Sequence, residues 1–348
     1  MFSGQLADLR IALDSAMRCV RATDSVRAAT QAAVIHTGPL ATCPFMELSA
    51  AFPNFLDWRI FDHCAAVSRL YAIYEQFVTD VVAAWLQALP LLYPAYADLP
   101  VTIRNEHRAG TGRIINDAGK GRFQHLSLQA LVGSLLGGIS AAVPFSFCID
   151  TFTVKENLRR NPLETFFARV GIPHMWTWIE AHPKMQRFVA EVLGGAETAE
   201  SQLTLFVTYR NEAAHGTVNN VLLPAGLQTL ADYVQILCEV ISEKVNHEWL
   251  FIEVNKGTAQ YVGEVLESFP VPSAIVVSMS EECVAIGDSL ICTRDNDCMT
   301  TSIEDLQLDG LAVESVSAPV GAEVGMRVSL LPKVNAKLYR RSANSPFY

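Results

Sequence analysis

Leu227-Gln-Thr-Leu-Ala-Asp-Tyr-Val-Gln-Ile-Leu-Cys-Glu-Val-Ile-Ser-Glu-Lys-Val245 places Leu227, Leu230, Val234, Leu237, Cys238, Ile241 and Val245 at spacings of three and four. That period belongs to a helix with one apolar face. Past Trp249 the period falls to two. Ala274-Ile-Val-Val-Ser, Ser289-Leu-Ile-Cys-Thr and Arg327-Val-Ser-Leu-Leu are short β-branched runs separated by Gly, Pro and Asp turns, the pattern of a barrel or sandwich. The chain therefore divides near residue 250. Residues 1–248 read as a helical part and 249–348 as a β part. Each is expected to carry its own core, so a chain ending near Glu248 is expected to stay folded.

Upstream of the quoted helix, Leu70, Tyr74, Phe77 and Val81 draw a similar stripe over about residues 55 to 88, expected to end before Pro90. A further helix is expected from about Glu200 to His215, stopped by Gly216 in a left-handed cap. Leu99–Gly121 is polar and glycine-rich and reads as loop. Leu126–Ile149 holds no charged residue, a run long enough to cross a bilayer. Its Gln129, four serines, Gly137-Gly138 pair and Pro144 instead favour a buried helix followed by an extended turn.

Half of the 348 residues are apolar and 18% are charged, which excludes wholesale disorder. Acids outnumber bases 36 to 26, which argues against a cationic surface built for nucleic acid, though not against a local basic groove. The cysteines at 19, 43, 64, 148, 238, 283, 292 and 298 form no C-x-x-C pair and no zinc-type cluster. They read as small buried hydrophobes of a reducing compartment. The N-terminus shows no signal-peptide core, so the expected location is the cytoplasm.

Several motifs fail on inspection. Gly110-Thr-Gly112 and Gly119-Lys120-Gly121 complete neither nucleotide-binding fingerprint and read as flexible loop. Gly287-Asp288-Ser289-Leu290 lacks the D-x-x-H that would supply a base to a nucleophilic serine, so it reads as a turn entering a strand. Asp295-x-Asp297 lacks the remaining ligands of a calcium loop.

Tyr209-Arg210-Asn211-Glu212-Ala213-Ala214-His215-Gly216 is different. Arg210 shares a face with Leu203, Phe206 and Val207. A guanidinium there needs a carboxylate, a phosphate or water in a cleft. At about 100° per residue, Asn211 and His215 fall within about 40° of each other on the flank of that face. A cation, an amide and an imidazole along one helix edge suit a scissile phosphate: one for developing charge, another for proton movement. Arg104, Arg108, Arg113, Lys120 and Arg122 offer cations for tracking a phosphate backbone, or simply a solvated loop.

Arg210-Asn-Glu-Ala-Ala-His215-Gly216 resembles the R-x(4–6)-H signature of the HEPN superfamily of ribonucleases. Arg69-Leu-Tyr-Ala-Ile-Tyr-Glu75-Gln-Phe-Val78 is similar to that family's early long helix, and Lys155-Glu-Asn-Leu-Arg-Arg through Ile172 to the helix pair before the signature. The resemblance covers about residues 50–248. It implies an all-α helical bundle that dimerises and joins two signatures in one cleft. It also implies metal- and cofactor-free RNA cleavage by 2′-OH attack, leaving a 2′,3′-cyclic phosphate. His215 would move the proton, Arg210 would hold the phosphorane charge, and Asn211 would orient one of them. Glu75 matches an accessory polar position of the early helix. The family's usual settings are bacterial toxins and antiphage defence, and it includes non-cutting members that bind RNA or protein.

Val262-Gly263-Glu-Val, Val284-Ala-Ile-Gly287-Asp288, Asp309-Gly310 and Gly321-Ala-Glu-Val-Gly325-Met-Arg-Val resemble, in order, the second domain of elongation factor Tu and related translation GTPases. This implies a six-stranded translation-factor-like β-barrel over about 250–340, without nucleotide hydrolysis. The last 98 residues hold 13 acids and 7 bases, so the barrel is expected to dock a protein or ribosomal partner rather than grip phosphate. The expected partners are RNA (tRNA or ribosome-associated), a second copy through the helical part, and a protein at the barrel, with no membrane.

Overall fold

The computed structural model describes residues 3–35, 53–117, 123–141, 145–154, 156–317, 319–342 and 345. The helices are α1 (Ser3–Ile35), α2 (Phe55–Leu92), α3 (Val101–Asn116), α4 (Leu128–Ser140), α5 (Arg160–Arg169), α6 (Met175–Ala181), α7 (Pro183–Glu191), α8 (Ala199–His215) and α9 (Pro224–Asn255). The strands are β1 (Ala259–Phe269), β2 (Ala274–Met279), β3 (Cys283–Ala285), β4 (Ser289–Arg294), β5 (Asp297–Leu308), β6 (Leu311–Val313), β7 (Ser315–Ser317), β8 (Glu323–Val328) and β9 (Lys337–Arg341). An N-terminal helical bundle is thus followed by a β-barrel, as the two periodicities imply.

The long helices α2 and α9 form the centre of the bundle, with α1 packed against both and α8 against α2. All seven apolar residues of the α9 stripe are buried, as are Leu70, Tyr74, Phe77 and Val81 of α2. Trp85 and Trp249 meet edge to face at 5.3 Å between ring centroids. Helix α8 is bounded by local chemistry at both ends. Thr198 and Ser201 exchange capping hydrogen bonds at its start, and Gly216 closes it at φ 72°.

Two helices depart from expectation. Helix α2 continues through Pro90 to Leu92. In the last turn the proline forfeits one helical bond, and the burial of Leu89 and Leu92 offsets that loss. Helix α3 occupies most of the segment expected to be loop. Its Gly110 is no flexible hinge, because a Cβ there would stand 1.9 Å from the Thr151 carbonyl oxygen. The glycine allows Thr151 to lie directly on the helix. Gly119-Lys120-Gly121 lies outside the described residues, as do Lys155 and Pro144.

The uncharged segment is helical over α4, but Leu128, Val132, Leu136 and Ile139 are exposed instead of buried. Among the described residues no helix is long and apolar enough to cross a membrane. Of the described cysteines, Cys238, Cys292 and Cys298 are buried and Cys64 and Cys148 half-buried, whereas Cys19 and Cys283 are exposed. Cys43 lies outside the described residues.

The barrel closes through the antiparallel order β4–β9–β1–β2–β8–β5, with β5 pairing back onto β4. Strand β6 extends β5, and β3 pairs with β7 in a small separate ladder. Register shifts at Tyr261/Gly263 and Val265/Glu267 bend β1 between its two neighbours. A Cβ at Gly263 would stand 2.3 Å from the Ser278 carbonyl oxygen, so only glycine allows that approach. Val262, Val265, Val277, Leu290, Leu306, Val324 and Leu338 fill the interior. Asp288 accepts from the Ala285 N–H at 3.0 Å and from Arg340 at 3.1 Å, which makes Gly287-Asp288 a braced turn.

Helix α9 runs past residue 248, and the bundle core takes in Ala259, Ile291 and Cys298 from the barrel. The Glu253 carboxylate, 0% exposed, accepts from Arg341 Nε at 2.9 and 3.2 Å and from Ser345 Oγ at 2.6 Å. The two parts share one core at this seam.

His107 of α3 is buried among Tyr96, Phe147 and Phe152. Burial pushes its imidazole pKa down to about 4. A base with a depressed folded pKa gives stability that is fully present above the unfolded value near 6.5. That stability is lost as pH falls from about 6.5 toward about 4, to a total of roughly 3 kcal/mol. Replacing His107 by Phe should therefore flatten the fall in Tm between neutral and mildly acidic buffer. An acid limb unchanged by the substitution would assign it to other groups.

Candidate active site

Helix α8 meets α2 and the strap of residues 151–154 and 156–159 where Arg210 emerges from the apolar stripe. Arg210 is half-buried, with Cζ 4.9 Å from the centroid of the Tyr71 ring of α2. Its Nη1 donates to Asn211 Oδ1 at 3.2 Å. Among the described residues Arg210 forms no ion pair with a carboxylate. The partners are an aromatic face and a neutral amide, which leave the guanidinium charge uncancelled.

Asn157 of the strap donates through Nδ2 to the same Asn211 Oδ1 at 3.0 Å. With two donors on its oxygen, the Asn211 amide is fixed in orientation, and its own Nδ2 has no acceptor among the described residues. The strap is held to α2 at the next residue. The Leu158 N–H donates to Tyr71 Oη at 2.9 Å, and Tyr74 Oη donates to the Leu158 carbonyl at 3.0 Å. Burial raises the Tyr71 hydroxyl above its ordinary pKa, so it remains a neutral phenol.

His215 is the last residue of α8 and is exposed, one turn beyond Asn211. The loop that follows is pinned without using the imidazole. Glu212 accepts from the Asn219 N–H at 3.3 Å and from Asn219 Nδ2 at 2.8 Å, and Asn220 Nδ2 donates to Tyr209 Oη at 3.2 Å. Among the described residues both ring nitrogens of His215 are therefore open to a ligand. His63, beneath Tyr209, is buried and accepts from the Leu222 N–H at 3.1 Å, and burial lowers its pKa. It serves as a neutral core histidine.

The fold thus joins Arg210 and Asn211 by a hydrogen bond and places His215 on the same helix. Glu75 stays exposed on α2 with no hydrogen bond to any of them. Its carboxylate is close enough to raise the Tyr71 and Tyr74 pKa values, as a minor contribution beside burial. Sequence reasoning did not single out Tyr71 and Asn157. Tyr71 carried a weak signal, a tyrosine one turn before Glu75 in the early helix. Asn157 carried none, since its partner lies 54 residues away.

The basic residues of α3 do not form one stripe. Arg104 and Arg113 lie about 180° apart around the helix. Arg113 turns to the Thr151 carbonyl at 2.9 Å, and exposed Arg108 hydrogen-bonds Asn105 at 2.5 Å. Lys120 and Arg122 lie outside the described residues.

Among the described residues His182, Glu243 and Asp297 bring potential metal-ligand atoms within 4.8 Å of one another. His182 Nδ1 accepts from the Lys184 N–H at 3.2 Å, so Nε2 carries the proton and donates to Glu243 at 2.9 Å. A protonated Nε2 offers a metal no lone pair. Burial opposes the charge on Glu243, but bonds from His182 and Lys184 hold its pKa below the ordinary value. Lys333 pairs with Asp297 at 3.2 Å. The cluster is an ion-pair network across the seam between α7, α9 and β5.

Two solved structures of the C-terminal domain of a putative U32 peptidase from Geobacillus thermoleovorans, one a selenomethionine variant, are similar to part of the chain. Both are 19% identical with a TM-score of 0.21, cover 24% of this chain, and are covered over 99% and 92% of their own length. No curated protein matches the chain. The family model described as RiboL-PSP-HEPN matches residues 47–247, a span that begins before α2 and ends within α9 and contains Tyr71, Asn157, Arg210, Asn211 and His215. The chain belongs to that HEPN family.

Proposed function

We propose that the protein is a metal-independent endoribonuclease. The observation that carries this reading is the Arg210 guanidinium, half-buried on Tyr71 and balanced by no acid among the described residues, on the same helix as an exposed histidine. In the reaction the ribose 2′-OH attacks the adjacent phosphorus. The P–O5′ bond breaks, and the products are a 2′,3′-cyclic phosphate and a 5′-hydroxyl. Arg210 offers N–H donors to the non-bridging oxygens as negative charge builds on them. Asn211, with its oxygen occupied by Arg210 and Asn157, turns its N–H donors to the phosphate or the imidazole. His215 takes the 2′-OH proton or gives one to the leaving oxygen.

One imidazole performs one of those two transfers. The second comes from His215 of a second copy, paired across the signature helix in an isologous contact. The acidic barrel directs the enzyme to a protein or ribosomal partner, and a toxin or antiphage role suits a nuclease of this family.

The test is incubation of the full chain with tRNA, ribosomal RNA and messenger RNA in EDTA, with ends mapped and the mass in solution measured by light scattering. Cyclic-phosphate ends and a dimer are expected. A strict need for a divalent ion, or a monomer at concentrations where RNA is cut, would count against this chemistry. Retention of RNA without any cutting would identify a binding module.

A further inference from the structure

Between α3, the strap and α5 lies a cleft of about 430 Å³, lined by Arg113, Arg169, Thr153, Glu156, Asn161 and Thr165 among others. Its size is within the range of small-ligand sites, about 300–1,000 Å³. Both arginines are immobilised by backbone. Arg113 Nη2 donates to the Thr151 carbonyl at 2.9 Å, and Arg169 Nη1 donates to the carbonyls of Phe152 at 3.2 Å and Thr153 at 2.8 Å. A guanidinium has five N–H donors, so each keeps donors in reserve after these bonds. Arg169 also pairs through Nε with Glu106 at 3.6 Å, which cancels part of its charge and leaves Nη2 free of the bonds just named. Two fixed cations in one cleft are notable in a chain of net charge −10.

The strap links this cleft to the site already described. Glu156 stands in the cleft wall. Asn157, about 3.8 Å further along the chain between Cα atoms, holds Asn211 at 3.0 Å. We infer that the cleft is a subsite for single-stranded RNA, taking the nucleotide beside the scissile phosphate with its phosphodiester on Arg113 and Arg169. The amide of Asn161 and the hydroxyls of Thr153 and Thr165 are the groups that meet its sugar or base. Position relative to the scissile bond rests on the nuclease reading; binding of the strand does not. Glu156 opposes the anion from the same wall and so sets the affinity below its ceiling.

The test uses Glu156→Gln and Thr165→Glu in the full chain. Both side chains are exposed and, among the described residues, neither bonds to Arg113, Arg169 or the carbonyls that hold them, so folding is preserved. The probe is a short single-stranded oligoribonucleotide, 2′-O-methylated throughout, which has no 2′-OH to attack. Its affinity is followed by fluorescence anisotropy across a salt series. Glu156→Gln should tighten binding about threefold and Thr165→Glu weaken it about threefold, as one unit charge near a phosphate in a wet cleft implies. Thr165→Glu should also reduce the slope of log K against log salt by about 0.7, the increment for one phosphate on a single strand. Identical affinities and slopes in both variants would overturn the subsite, as would a wild type that does not bind the strand. Opposite shifts in a protein that cuts no RNA would refute the nuclease and leave the subsite standing. His215-dependent cutting with unshifted binding would do the reverse.

Discussion

His215→Ala is expected to lower RNA cleavage by roughly 10²–10⁴-fold, the usual contribution of a positioned proton-transfer group. Because the His215 side chain is exposed and makes no hydrogen bond or ion pair among the described residues, stability should stay within about 0.5 kcal/mol of wild type. That pairing of outcomes separates chemistry from folding. Arg210→Ala should lose activity to a similar degree, with little cost in stability, since a half-buried cation without an acid partner is removed. Arg210→Lys should not rescue it, because an ammonium neither stacks flat on Tyr71 nor presents a fork to two phosphate oxygens. Initial rates on one RNA, with thermal melts of each variant, make the comparison. Cleavage unchanged in both alanine variants would remove these residues from the mechanism.

The largest expected effect on stability is at the seam. Arg341→Ala strands the Glu253 carboxylate, 0% exposed, with Ser345 as its remaining side-chain donor. Breaking a buried pair from one side costs about 3–5 kcal/mol. Replacing both members, with Glu253→Leu and Arg341→Met, should recover most of that loss, because no uncompensated charge is left. Urea unfolding followed by tryptophan fluorescence and circular dichroism provides the measurement. The two signals should fall together, since Ile291 and Cys298 of the barrel are part of the bundle core. A chain ending at Glu248 also loses Trp249 from against Trp85. The packing therefore favours its failure to fold, against the expectation drawn from periodicity. A loss below about 1 kcal/mol in Arg341→Ala would mean that the seam is wetter than its burial implies.

Features decided by neighbours in sequence were legible in the sequence. The stripe of α9 and the period-two strands each repeat a local rule, and Gly216 ends α8 because only local backbone geometry is at stake. Arg210 was legible for a related reason, as a cation inside an apolar face. Features decided by distant chain were not. Gly110 read as part of a flexible loop, since nothing in residues 99–121 indicates that the Thr151 carbonyl will lie against it. The same blindness covered Asn157, and also Arg113, which turned from an open basic stripe to a backbone carbonyl 38 residues away. Glu75 was chosen by family position alone, and its exposed place on α2 supplies no contact to support the choice. The exposure of α4 was unreadable because an uncharged run looks the same whether or not another element covers it.

The Glu253–Arg341 pair also dictates when, during synthesis, the protein can become itself. Arg341 is made 88 residues after Glu253, a delay of roughly 4–18 s at ordinary elongation rates. Until then the end of α9 holds a carboxylate that cannot leave water, and Ile291 and Cys298 must already have emerged to close the core around it. A nascent bundle is therefore open at the end of α9 until the last barrel strand pairs and Arg341 reaches Glu253.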